Sequence, residues 1–229
     1  MTGGISFAQT ELADRIAMRG EFTEACEHFD QAIAAVTGLD ALDDVVQMRV
    51  RRARLYWLAG DKDASAAAVA EAERRAEGLT WPGTLAALAL ARAELARWNG
   101  NAVAAFDQHG IAVTLLDEEA LQPHLRAATH DLHAWFSDDL DEAREHRTSA
   151  CRAAAETGNA LVIAQMLVGV ADLAARCERY EQAARLLAAS ASVLGLSDRS
   201  NPDVARSNKQ REAASVIRRS TRRSVKARR

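Results

Sequence analysis

Cysteine, proline and aromatic residues are all scarce in this chain, and each shortage excludes something. The three cysteines, Cys26, Cys151 and Cys177, stand far apart and form no CxxC pair, which argues against a disulfide framework and against a cysteine-based zinc site. A reducing, cytoplasmic setting is the expectation. Aromatics at 5% and only three prolines leave few strand or turn-rich signals, while abundant alanine favours helix throughout. No apolar run approaches the roughly 18 residues that span a bilayer, and the N-terminal MTGGISFAQTELADR has no signal-peptide succession of basic, apolar and small residues. No membrane partner is expected.

A strong net charge is missing too, since the formal value is -3. That value averages two unlike regions. Residues 1–203 carry 19 Lys+Arg and 31 Asp+Glu, or -12, whereas residues 204–229 carry 10 basic and 1 acidic residue, or +9.

What the chain does have is a repeat. Between Leu12 and Ala35, Ala13 and Ile16 share one helical face, Gly20 marks a turn, and Phe22, Ala25, Phe29 and Ala32 form an apolar stripe on a second helix. Small residues at 13, 25 and 32 let the two helices approach closely, and large ones fill the space beside them. Measured from Gly60, the same offsets hold Ala53, Tyr56, Ser65, Val69 and Ala72; from Gly100 they hold Ala93, Ala96, Ala105, His109 and Ala112. A fourth unit turns at Asp138 and is the weakest copy, with Asp131 where a small residue is wanted and Arg147 between Ala143 and Ala150. The fifth turns at Glu178, with Ala171 and Ala174 before it and Ala183, Leu187 and Ser190 after it.

The turn positions 20, 60, 100, 138 and 178 are separated by 40, 40, 38 and 40 residues. The tetratricopeptide (TPR) repeat runs to about 34 residues, so this spacing predicts TPR-like hairpins with longer helices. The expected fold is all-α: a TPR-like right-handed α-solenoid of about five hairpins over residues 1–206. Pro82 and Pro123 suit the first turn of a helix, and Asn159 and Asn201 suit N-caps. The element after Asn201 is placed over the open end of the fifth hairpin. Residues 207–229 read as a basic, frayed tail.

Two stretches, RAELARWNGNAVAAF in the third unit and ERYEQAARLLAASASVLGLSDRSNPDVAR at 178–206, resemble the C-terminal helical-repeat region of bacterial SARP-type and BTAD-containing transcriptional regulators; GLSDRSNPDVAR is the most specific part. The resemblance implies a sensing or interaction module. In that family a winged-helix DNA-binding domain and an ATPase module precede such repeats, but this chain has neither a winged-helix segment nor a GxxxxGK[ST] phosphate loop. Its tail also differs from the further apolar helix usual in the family.

On the TPR register the concave face receives Asp14, Arg54, Trp57, Glu94, Arg97, Trp98, Trp135, Phe136, Asp172 and Arg176. Tryptophan and arginine are common interface anchors, so a protein or peptide partner in this groove is the leading expectation. The competing reading packs the Trp against the next hairpin and leaves the charges solvated. The arginines at 49, 51, 52 and 54 span more than one helix face and read by default as a solvated face, with an acidic partner as the alternative. In the tail, Arg218, Arg219, Arg222, Arg223, Lys226, Arg228 and Arg229 suggest nonspecific, salt-sensitive nucleic-acid binding as an alternative.

No catalytic constellation emerges, so an enzyme is not expected and no cofactor is implied. His130 and His133 lie three apart, with His124 earlier, but two ligands fall short of the four of structural zinc and no second pair has matching spacing. No metal site is read from the sequence. The acidic cluster Asp138, Asp139, Asp141 and Glu142 is assigned to capping a helix start. Cys26 and Cys177 lie among apolar neighbours and read as small hydrophobes rather than nucleophiles.

Overall fold

A computed structural model describes residues 2–37, 41–115, 122–198 and 200–209, and among them the regular structure is entirely helical. The helices are α1 (Thr2–Met18), α2 (Phe22–Val36), α3 (Leu42–Leu58), α4 (Lys62–Ala76), α5 (Pro82–Trp98), α6 (Ala102–Leu115), α7 (Pro123–Phe136), α8 (Leu140–Thr157), α9 (Ala160–Arg176) and α10 (Tyr180–Leu194). A last stretch, α11, covers residues 202–209. Successive helices pack in pairs, α1 with α2 through α9 with α10, and the first helices α3, α5, α7 and α9 each touch the next in the series. Stacked hairpins of this kind are consistent with an α-solenoid. No described helix is long and apolar enough to cross a membrane.

Backbone chemistry at the turns explains the spacing. After α3, the Gly60 N–H donates to the Trp57 carbonyl at 3.0 Å and the Asp61 N–H to the Tyr56 carbonyl at 2.9 Å. This double bond, the Schellman motif, requires a left-handed residue at its centre. Gly20, Gly60 and Gly100 take φ of +87°, +89° and +76°. In the fifth hairpin Glu178 adopts φ +58° without being glycine, and the same two bonds form around it, at 2.9 and 2.8 Å. The fourth hairpin turns differently: Ser137 stays extended and Asp139 caps α8.

Alanine at the small positions does what the spacing requires. Ala13, Ala25, Ala32, Ala53, Ala72, Ala93, Ala105, Ala112, Ala143, Ala150 and Ala171 are fully buried between helices. Ser65 substitutes for one of them, and its hydroxyl donates to the Ala53 carbonyl at 2.8 Å.

The two polar intruders of the fourth unit resolve each other. Asp131 and Arg147, which occupy a small and a large apolar position, form a buried ion pair. Gly169 of α9 leaves room for it, because a Cβ there would collide with both side chains.

One placement differs from the sequence reading. Instead of covering the open end of the fifth hairpin, α11 lies against the first helices of the third, fourth and fifth. Its Asp203 meets Arg97 of α5, and its Arg206 meets Asp172 of α9 and the Trp135 ring of α7. The start of α11 is fixed locally: Asp198 Oδ1 accepts from the Ser200 and Asn201 N–H groups, and Asn201 Oδ1 accepts from the Asp203 N–H at 2.9 Å. Helix continues past the sequence-based boundary at 206, and Ser207 is buried.

Candidate functional site

The ten groove positions read from the sequence share one feature: each has a partner within the chain. Arg51 of α3 binds Asp14 of α1. Arg54 binds Glu94, with Nε 2.8 Å from Oε2, and its guanidinium lies 5.5 Å from the Trp98 ring centroid. Trp57 packs on Trp98 at 4.9 Å between centroids. The Trp57 indole N–H donates to Asn99 Oδ1 at 2.8 Å, and the Lys62 ammonium sits 3.1 Å over its ring.

Trp135 stands at the centre. Arg97, Arg147 and Arg206 place their guanidinium carbons 4.5, 4.6 and 4.3 Å from its ring centroid, each a favourable contact of about 0.5–2 kcal/mol depending on desolvation. Its indole N–H donates to Asp131 Oδ2 at 3.1 Å. The carboxylates Asp131, Asp172 and Asp203 balance those three cations. Arg176 is spent on backbone, donating to the Ala134 and Ser137 carbonyls at 3.2 and 2.6 Å and so tying α9 to the end of α7.

Burial and pairing act oppositely on these acids. Burial raises the pKa of Glu94, Asp131 and Asp172 despite nearby arginines. Burial also works on Asp203, but the two hydrogen bonds and the charge of Arg97 outweigh it and hold the carboxyl below its usual value. Asp203 therefore stays ionised and Arg97 is held by a two-pronged bond at 2.9 and 2.6 Å.

The arginine cluster of α3 is not a solvated face. Arg49 reaches Glu71 of α4 at 4.0 Å, Arg51 reaches Asp14 of α1, Arg52 reaches Asp30 of α2 at 2.5 Å and Arg54 reaches Glu94 of α5. One helix thus pairs with four others. The sequence reading missed this because every acceptor lies on a different helix.

Beside the charged centre opens a cleft of about 590 Å³, lined by Arg97, Gly100, Ala102, Val103, Phe106, Asp107, Trp135, Phe136 and Asp138. It lies where the end of α5 and the start of α6 face the end of α7. Arg97, Trp135 and Phe136 are groove positions from the sequence; Val103 and Phe106 are additions from α6. Phe106 meets Phe136 edge-on at 6.2 Å, yet Phe106 and Val103 remain 59% and 74% exposed. Apolar side chains so exposed beside a cleft suit a partner's apolar side chain.

Asp139 caps α8 as expected, its Oδ1 accepting from the Asp141 and Glu142 N–H groups. Glu142 does more than compensate a helix dipole, because its side chain meets His133 and Ser137. His130 and His133 are likewise joined from the facing helix by His146. Burial pushes the Cys26 and Cys151 thiols up, in keeping with inert packing. The basic tail positions from Arg218 onward lie outside the described residues.

No protein-family model matches the chain, and no curated protein matches it.

Proposed function

We propose that the chain is a non-catalytic, TPR-like right-handed solenoid that binds a peptide or protein partner at the cleft beside Arg97 and Trp135. The observation that carries this reading is the pair of exposed apolar residues, Val103 and Phe106, at the mouth of that cleft. Burying both against a partner would release apolar surface worth about 25 cal/mol per Å². The remaining Trp and Arg groove positions support the site from behind, locked in orientation by their own pairing.

The resemblance to SARP/BTAD regulators supports a regulatory setting for such a module. Its two sequence stretches meet in space, since Arg97 of RAELARW holds Asp203 of SNPDVAR. The role of those motif residues is architectural, in that they hold α11 against the repeats.

The test is affinity capture from extracts of the source organism with the intact chain and with a Val103→Asp/Phe106→Asp double variant. Both positions are solvent-facing, so the variant should keep its helicity and melting temperature. At least one protein captured by the wild type should be lost with the variant. Identical captured sets from two equally folded proteins contradict the reading.

The charge of +9 over residues 204–229 favours a second reading, an accessory protein that binds nucleic acid through its tail. Truncation after Lys209, which spares the packed Arg206 and Ser207, should then abolish binding to duplex DNA. Absence of duplex binding by the intact chain at low salt removes this reading.

A further inference from the structure

The fourth hairpin differs from the second, third and fifth in one more respect. Five residues before the turn, the second, third and fifth hairpins bury a leucine: Leu55, Leu95 and Leu173. The fourth has His133 there. On the facing helix, four and eight residues after the turn at 138, stand Glu142 and His146. Spacings of i,i+3 for His130 and His133 on α7 and of i,i+4 for Glu142 and His146 on α8 put each pair on one helical face. The hairpin then turns the two faces toward each other.

The resulting cluster is tight. Donor atoms of His133, Glu142 and His146 all lie within 4.8 Å of one another. His133 Nε2 is 3.2 Å from Glu142 Oε1, and His130 Nδ1 is 3.0 Å from His146 Nδ1. Zinc bonds of about 2.0–2.1 Å in a tetrahedron set neighbouring donors about 3.3 Å apart, so two donor pairs already stand at the needed separation. The His133 ring stacks on His146 at 3.7 Å, and with its side chain 31% exposed it has room to turn its nitrogen toward a shared ion. Ser137, buried at the end of α7, donates its hydroxyl to the other Glu142 oxygen, the kind of outer contact that orients a ligating carboxylate. His109 packs edge-on against His133 at 5.4 Å with its Nε2 on the Thr129 carbonyl, and so walls the cluster without entering it.

We propose that His133, Glu142 and His146, with His130 in reach as a fourth ligand, bind a zinc-class divalent transition-metal ion that clamps α7 to α8. Imidazole and carboxylate donors suit zinc, nickel, cobalt or copper rather than calcium or magnesium. The clamp falls on the hairpin whose small and large apolar positions are replaced by Asp131 and Arg147, and which lacks the glycine turn of the first three. It also borders the cleft, because Phe136, which lines it, packs against His109.

The experiment is calorimetric titration of the full, untagged, chelator-treated chain with zinc chloride, followed by cobalt(II) substitution read in the visible spectrum. One equivalent of zinc should bind with a micromolar or tighter Kd, and cobalt should show the intense d–d bands of a tetrahedral site. His133→Asn, His146→Asn and the near-isosteric Glu142→Gln should each weaken zinc at least tenfold with far-UV circular dichroism unchanged, whereas His124→Asn, on the same helix but outside the cluster, should bind as wild type. Failure of the wild type to bind zinc saturably overturns the proposal. So does undiminished binding by the His133→Asn/His146→Asn double variant.

Discussion

Arg97 and Asp203, 106 residues apart, are joined by two hydrogen bonds of 2.9 and 2.6 Å, and both side chains are nearly buried. This pair fastens α11 across the first helices of three hairpins. Removing the charge with Asp203→Asn leaves Arg97 buried without its counter-ion, which costs about 3–5 kcal/mol in such settings. The expected result is a lower urea midpoint together with altered tryptophan emission, because Trp135 lies against both Arg97 and Arg206. An unchanged midpoint and spectrum would show that α11 is not held by this bond.

The buried pair of the fourth hairpin makes a sharper prediction. Asp131→Ala alone strands Arg147, two of whose guanidinium nitrogens, Nε and Nη2, are buried with no hydrogen-bond partner among the described residues, and should destabilise by about 3–5 kcal/mol. Adding Arg147→Leu restores the small and large apolar pattern of the other hairpins. The double variant should recover most of the loss, measured by denaturant unfolding.

Gly169 is required by the same pair. A methyl group there would collide with the Arg147 guanidinium and the Asp131 carboxylate, so Gly169→Ala should cost about 1–3 kcal/mol despite alanine's higher helix propensity. In the Asp131→Ala/Arg147→Leu background much of that cost should disappear, which thermal melts of the four proteins can determine.

At the turn of the fifth hairpin Glu178 holds φ +58°, a conformation that strains a residue bearing a Cβ by about 1–2 kcal/mol. Glu178→Gly should therefore raise stability by up to about 1 kcal/mol after the added chain entropy of glycine is subtracted. Gly60→Ala, at φ +89° with open space around it, should do the reverse. Melting temperatures of the two variants should move in opposite directions.

Burial and the neighbouring His133 and His130 depress the His146 pKa from 6.5 to about 4, with Glu142 opposing and His109 adding to the shift. The folded state thus holds this imidazole neutral where the unfolded chain protonates it. Its contribution is neutral above about pH 6.5 and turns increasingly destabilising as pH falls from there toward about 4. Replacing His146 with Asn should flatten that part of the stability–pH curve, as followed by urea unfolding at several pH values.

Much of the fold was legible because its causes are local and periodic. Glycines at 20, 60 and 100 mark left-handed turns, and alanines such as Ala13, Ala53 and Ala93 mark helix contacts. The charged partners were not legible, since Asp131 and Arg147 each look like a defect until the two helices face each other. Placement of α11 was misread for a related reason: nothing near Asp203 in sequence indicates Arg97. Val103 and Phe106 were hidden because each looks like an ordinary apolar position on α6, and their exposure shows only in the folded chain. His133, by contrast, carried a readable signal, a histidine where the second, third and fifth hairpins keep a buried leucine.

The most direct test of partner binding at the cleft is site-specific photo-crosslinking in cells of the source organism, with a benzophenone amino acid at position 106 and, as control, at Ala67, exposed on α4, a helix that packs chiefly on α3 and contributes no residue to the cleft. A discrete protein adduct at position 106 that is missing from the control is the expected result. Adducts absent at 106, or identical at both positions, would contradict a partner site at this cleft.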